Sequence, residues 1–265
     1  MALSPFRPWR LAAGGLLALA VAMGIGRFVY TPILPFMAEG IPLSPGEAGL
    51  IASANFAGYL LGALAAATPY LKGSRRSWLL AGLALSAVTT LLVPVSAAVP
   101  ALAGIRFAGG VASALVLVFA SSVVLERLAE AGESRLSAVH FAGVGVGILA
   151  SSLIVSALAA AGLGWRAQWI ASGLAGLAAL PLVAALVPAD AGGRGAAAAP
   201  AGMRVSPRLA TLIASYGLFG FGYVITATFL VAIVRGSPAI RPLEPAIWAL
   251  FGLAAIPSVA LWSAL

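Results

Sequence analysis

Residues 11–36 read LAAGGLLALAVAMGIGRFVYTPILPF, an apolar run broken by one charge, Arg27. The hydrocarbon core of a bilayer takes about 20 apolar residues of helix, and this run exceeds that. Its apolar residues are continuous rather than alternating, which favours a helix over a barrel strand. Arg7 and Arg10 precede it, and Ala18-Leu19-Ala20 resembles a cleavage site. The apolar run continues past that point, so it reads as an uncleaved first span rather than a secretory signal.

Seven more stretches of the same kind follow, at 48–68, 78–99, 101–124, 137–161, 168–187, 209–233 and 246–265. Pro100 marks the tight turn between the third and fourth. The whole chain agrees with this reading. Of its 265 residues, 62 % are hydrophobic and 8 % charged, with a mean hydropathy of +1.08. Soluble domains average about 25 % charged residues, and a chain this apolar cannot cover a globular surface with polar groups. A soluble enzyme, a disordered chain and a nucleic-acid binder are therefore poor readings. A polytopic membrane protein is the economical one.

The net charge of +8 has a membrane explanation. With the N-terminus on the cytoplasmic side, that side collects Arg7, Arg10, Lys72, Arg75, Arg76, Arg127, Arg135, Arg194, Arg204 and Arg208. The other side collects only Arg166, Arg235 and Arg241. Positive residues concentrate in cytoplasmic loops, so the N-terminus is expected inside, as is the C-terminus after eight spans. The expected location is the cell inner membrane. Residues 189–208 form the longest interior polar break. With Pro188, Asp190, Gly192, Gly193, Arg194 and Pro200 in or beside it, the break has the composition of a flexible cytoplasmic linker. It divides residues 1–188, expected as a six-helix N-terminal bundle, from residues 209–265, expected as a partial C-terminal bundle. A faint echo links the two groups: Gly24-Ile25-Gly26-Arg27-Phe28 in the first span is similar to Gly220-Phe221-Gly222-Tyr223-Val224 in the seventh. Parallel six-helix repeats are one transporter design.

Within these eight stretches the only formal charges are Arg27 and Arg106. Each costs about 2.5–3.5 kcal/mol at a helix centre on insertion scales, and such residues usually face a cavity or the bundle interior. Arg106 lies roughly 9 Å below the nearer helix end, within snorkelling reach, whereas Arg27 lies roughly 15 Å deep. No Asp or Glu shares the spans with them. An anionic ligand gripped by the guanidinium fork is one relief. Backbone carbonyls are the other: Pro32 and Pro35 each deprive a carbonyl one turn earlier, at Phe28 and Thr31, of its donor, and Arg27 could point at those. The same prolines are expected to bend the first span near a site.

Helical spacing sorts the polar residues onto faces. Arg27, Tyr30 and Thr31 share one, Asn55 and Tyr59 a second, Arg106 and Ser113 a third, and Tyr223 and Thr226 a fourth. All nine are candidates to line a central solute cavity; the alternative is interhelical packing and hydrogen bonding. His140, the single histidine, is a candidate for proton coupling and otherwise a hydrogen-bonded structural residue. Gly143 and Gly147 form a GxxxG pair suited to close packing. With no Cys, one His and one Asp, neither a catalytic triad nor a metal site is expected. No phosphate-binding loop is present, which excludes an ATP-driven pump for this chain. No cofactor is expected.

At this point a family resemblance appears. The stretch Gly24-Ile25-Gly26-Arg27-Phe28-Val29-Tyr30-Thr31-Pro32-Ile33-Leu34-Pro35 resembles the first-helix signature of the YbfB/YjiJ-like branch of the major facilitator superfamily. The likeness continues through 52–62, ASANFAGYLLG, and 219–230, FGFGYVITATFL. Arg106-Phe107-Ala108-Gly109-Gly110 is similar to the Arg-x-x-x-Gly motif of the superfamily's fourth helix. Two departures stand out. Lys72-Gly73-Ser74-Arg75-Arg76 keeps the basic part of the superfamily's loop between helices two and three, but Ala66 or Ala67 stands where that loop carries an acid. The superfamily has twelve helices, and this chain reaches eight, so it resembles a truncated product from which no transport is expected by itself.

The resemblance implies an all-α membrane protein with a six-helix N-terminal bundle and the first two helices of a second. It also implies secondary active transport of a small solute by alternating access. The uncompensated arginines add that the solute is an organic anion. A coupling ion such as H+ is left open, as is the alternative of a non-transporting membrane binding or assembly protein. A channel and a membrane enzyme lack the residues they need.

Overall fold

The computed structural model describes residues 7–189 and 206–263. Among these residues all regular structure is helical. The helices are α1 (Pro8–Leu19), α2 (Tyr30–Gly40), α3 (Pro45–Ala66), α4 (Arg75–Leu92), α5 (Val99–Glu130), α6 (Ser137–Ala160), α7 (Trp165–Leu186), α8 (Pro207–Gly236) and α9 (Glu244–Trp262). A π-helical segment, Ala20–Arg27, joins α1 to α2, so that Pro8–Gly40 crosses as one run. Eight runs are long and apolar enough to span a membrane, in the order that the hydropathy pattern predicts. Several outrun the bilayer core, the first run by most, at 33 residues, and α5 next, at 32. The interior break at 189–208 lies largely outside the described residues.

Local chemistry accounts for the helix ends. Ser44 forms a capping box with Glu47: the Ser44 amide donates to Glu47 Oε2 at 2.8 Å and the Glu47 amide to Ser44 Oγ at 3.3 Å. Ser74 and Ser206 cap α4 and α8 in the same sense. At the far end of α6, Gly162 takes φ +73°, and the Leu163 amide reaches back to the Leu158 carbonyl at 2.9 Å. This is the Schellman closure that only a glycine adopts without strain.

The spans are apolar around their whole circumference, so a hydrophobic stripe cannot choose their faces. In lipid, small residues and polar contacts do so. A side chain at Gly143 would strike the Leu16 carbonyl, and one at Gly147 the Ala20 carbonyl, so the GxxxG pair seats α6 on the first span. On its other side α6 presents Gly145 to Gly252 of α9. The α3–α5 crossing works likewise, with Gly58 against the Phe107 carbonyl and Gly110 against the Asn55 carbonyl. The first span lies innermost, with 78 % of its apolar window buried, against 11 % for the last.

Charge gathers at the two ends. At one, Arg75 pairs with Glu126, and Arg76 donates to the Val187 and Ala184 carbonyls at 2.8 and 2.6 Å, closing the C-terminus of α7. At the other, Arg235 of α8 bridges Glu39 of α2 and Glu244 of α9, at 2.8 and 2.6 Å, with its guanidinium 4.3 Å from the Phe36 ring centroid.

Candidate functional site

The break in the first span is the element from which the site is built. In the π segment hydrogen bonds reach back five residues, as from the Phe28 amide to the Met23 carbonyl at 3.1 Å. The α-helix resumes only at Tyr30. The junction leaves carbonyls turned away from the regular ladder, and Arg106 takes two of them. Its Nη1 donates to Gly26 O and its Nη2 to Arg27 O, both at 2.8 Å. The prolines therefore do not set the break where the sequence suggests. The carbonyls left open are those of Gly26 and Arg27, two residues and one residue before Phe28, and the Phe28 carbonyl accepts from the Thr31 amide at 3.1 Å. Nor does Arg106 snorkel. It is 4 % exposed, flanked by the Tyr30 and Trp169 rings at 5.3 and 5.5 Å. Asn55 Nδ2 donates to the Arg106 carbonyl at 2.8 Å, tying α3 to the same point.

Arg27 is placed differently. Its guanidinium carbon lies 4.0 Å from the Tyr59 ring centroid, 4.7 Å from Phe56 and 5.5 Å from Phe28. Tyr223 is within electrostatic reach. Among the described residues no carboxylate pairs with it, and the carbonyls of Phe28 and Thr31 do not receive it. The rings hold the cation by cation–π attraction, Tyr59 also hydrogen-bonds to the Arg27 side chain, and the buried Nε of Arg27 has no partner. The two cations thus differ: Arg106 is buried with both terminal nitrogens on backbone carbonyls, whereas Arg27 is half-buried among rings, with no carboxylate or backbone carbonyl holding it.

Phe56 also lines a cavity of about 580 Å³ between α3 and α8. Its other walls include Ala52, Ser53, Phe221, Val224, Thr228 and Phe229. Ser53 and Thr228 are the only polar side chains in the lining. A stack of rings joins α8 to α9, from Phe219 through Tyr223 and Phe251 to Trp248, with neighbouring centroids 6.2, 6.4 and 5.1 Å apart. A smaller space of about 290 Å³ opens near the Arg235 end, lined by Pro32, Phe36, Ser156, Glu244 and Trp248 among others.

This architecture has a family. The family model described as "Uncharacterised MFS-type transporter YbfB" matches residues 19–265. The chain belongs to that family. It is therefore a multi-pass membrane transporter of the major facilitator superfamily, with the all-helical fold that membership entails. No individual curated protein matches it.

In this transporter the nine cavity candidates sort by what their polar atoms touch. Arg27, Tyr59 and Tyr223 come together, and Tyr223 is 37 % exposed. Thr226 is exposed, and its hydroxyl turns back to the Gly222 carbonyl at 3.4 Å. The other five are tied into the fold. Tyr30 donates to the Ala48 carbonyl at 3.0 Å, Thr31 to the Ala227 carbonyl at 3.1 Å and Ser113 to the Gly110 carbonyl at 2.9 Å. Asn55 and Arg106 bond as described above. His140 is fully buried between α5 and the first span, with Nε2 3.0 Å from Ser121 Oγ and its ring against Gly15. Sequence reasoning passed over Phe28 and Phe56, although both stand in the stretches that carry the family likeness. It also passed over the Glu39–Arg235–Glu244 bridge. Arg235 and Glu39 are 196 residues apart, and no local pattern signals a contact of that range.

Proposed function

We propose that this chain belongs to a secondary active transporter that moves a small organic anion across the cell inner membrane by alternating access, with its N-terminus cytoplasmic. Residues 1–188 act as one six-helix bundle, 189–208 as the linker, and 209–265 as part of the bundle that rocks against the first. The observation that carries the anion reading is the Arg27 guanidinium, caged by rings and paired with no carboxylate among the described residues. A buried cation retained without a counter-ion is relieved when an anion arrives, and that relief is available to drive a conformational change. The transporter rearranges non-covalent contacts and makes no covalent bond to its solute. The basic asymmetry of the loops supports the orientation. A coupling ion such as H+ would power uphill movement.

The chain contains no cysteine, so one introduced thiol reports cleanly. Ser53→Cys, in the wall of the α3–α8 cavity, is expected to react with a membrane-impermeant maleimide from one face of a proteoliposome at a time. Saturating solute should change the rate several-fold. Equal labelling from both faces, unaltered by any solute in a broad panel, would refute alternating access.

A further inference from the structure

Resting on the reading of an anion site at Arg27, we infer that the solute is a monocarboxylate with an apolar, ring-sized body. Its carboxylate sits in the plane of the Arg27 guanidinium, and its body lies in the α3–α8 cavity. Charge, geometry and lining each contribute. The charge follows from the count of open forks. Arg106 spends both terminal nitrogens on the Gly26 and Arg27 carbonyls, so Arg27, whose Nε has no partner, is the guanidinium left to receive an anion. One fork matches one carboxylate bidentately, and a second acid group on the solute would have no buried cation to meet.

The direction of approach follows from the cage. Tyr59, at 4.0 Å from the guanidinium carbon, is the nearest ring. An anion meets the guanidinium on the side left by the rings and by the Tyr59 hydrogen bond, where the unpartnered Nε lies. Arg106 makes this orientation firm, because it holds the Arg27 carbonyl itself and so fixes the backbone from which Arg27 projects. Arg106 is thus a positioning residue for the site.

The body follows from the lining. Phe56 belongs both to the cage, at 4.7 Å, and to the cavity wall. Beyond it the wall is Phe221, Val224, Ile225 and Phe229, with two hydroxyls and no charged residue. A volume of about 580 Å³ lies in the range of small-molecule pockets, roughly 300–1,000 Å³. A sugar acid or a phosphorylated solute would leave its polar groups unpaired against these walls, at a cost that a site of this kind turns into rejection. An aromatic or aliphatic body loses nothing there.

The test is a binding panel on the intact protein in nanodiscs, with benzoate, benzamide, benzylamine, succinate and inorganic phosphate as probes. Benzoate is expected to bind, and each of the others at least tenfold more weakly. Removing one partner of a buried charge pair costs at least about 2 kcal/mol, or about 30-fold, and Arg27→Gln is expected to weaken benzoate by that factor or more. Arg27→Lys, which keeps the charge but loses the fork, should fall between. Phe56→Leu should weaken benzoate by a larger factor than acetate, which has no body to place. Equal binding of benzamide and benzoate would overturn the inference, as would preference for succinate or phosphate, or benzoate affinity indifferent to Arg27. The Ser53→Cys reporter separates the two claims. If another solute shifts its accessibility and benzoate does not, the solute class is wrong and transport stands. If benzoate binds through Arg27 and no solute shifts accessibility, the site stands and transport is wrong.

Discussion

Removing each buried arginine in turn should have opposite consequences for stability. Arg106→Leu deletes two charge-assisted hydrogen bonds, to the carbonyls of Gly26 and Arg27. Bonds of that type contribute about 1.5–3 kcal/mol each, so the gross loss is about 3–6 kcal/mol. Relief from burying a charge, about 2.5–3.5 kcal/mol on insertion scales, offsets part of it. The two carbonyls are then left in an apolar interior, at about 1–3 kcal/mol each. The net expectation is a destabilisation of about 1.5–9.5 kcal/mol. Arg27→Leu gives up ring contacts worth about 1–2 kcal/mol and regains the same burial relief. Its effect should lie between neutral and stabilising by about 2 kcal/mol. The assay is reversible unfolding in mixed detergent micelles, followed by fluorescence of the six tryptophans. Equal losses for both variants, or a neutral Arg106→Leu, would refute the division of labour between the two residues.

Other substitutions probe the packing. Gly147→Leu and Gly143→Leu drive side chains into the Ala20 and Leu16 carbonyls and should cost about 1–3 kcal/mol or prevent folding; melting of the detergent-solubilised protein reads this. Gly222→Ala, in a helix with open space around it, should instead stabilise by about 0.5–1 kcal/mol in the same assay. Ser151→Ala removes the acceptor that Trp248 Nε1 reaches at 3.2 Å and should cost about 1 kcal/mol in the unfolding midpoint. At the Arg235 bridge, Glu39→Gln should cost no more than about 1 kcal/mol, since that carboxylate is 68 % exposed. Glu244→Gln should cost more, its side chain being 15 % exposed.

The fold was largely legible because its determinant, continuous apolar length, is local. Stretch 11–36 needs no partner to announce itself as a span. Helix ends were less so: α5 runs to Glu130, beyond the hydrophobic limit at 124, because Gly132 and not lipid ends it. Residues Arg27 and Arg106 could be singled out by the cost of burying charge. Which of them is satisfied could not be, because the carbonyls that receive Arg106 are freed by a π segment for which the sequence gives no pattern. A proline-based argument points to the Phe28 carbonyl, one or two residues past those that Arg106 takes. Glycines at i and i+4 announced a close contact of α6 but not its partner, the first span, and Gly145 and Gly252 meet only once α9 is in place. Phe56 reads as one apolar residue among many until the Arg27 guanidinium is seen above it.

The account turns on the Arg27 fork receiving the solute. Its most direct test is counterflow of labelled benzenesulfonate, whose permanent charge prevents leakage through lipid, in proteoliposomes of the intact protein. Saturable counterflow is expected for the natural sequence, a reduced rate for Arg27→Lys, and the rate of protein-free vesicles for Arg27→Gln. Counterflow by Arg27→Gln at the natural rate would contradict it.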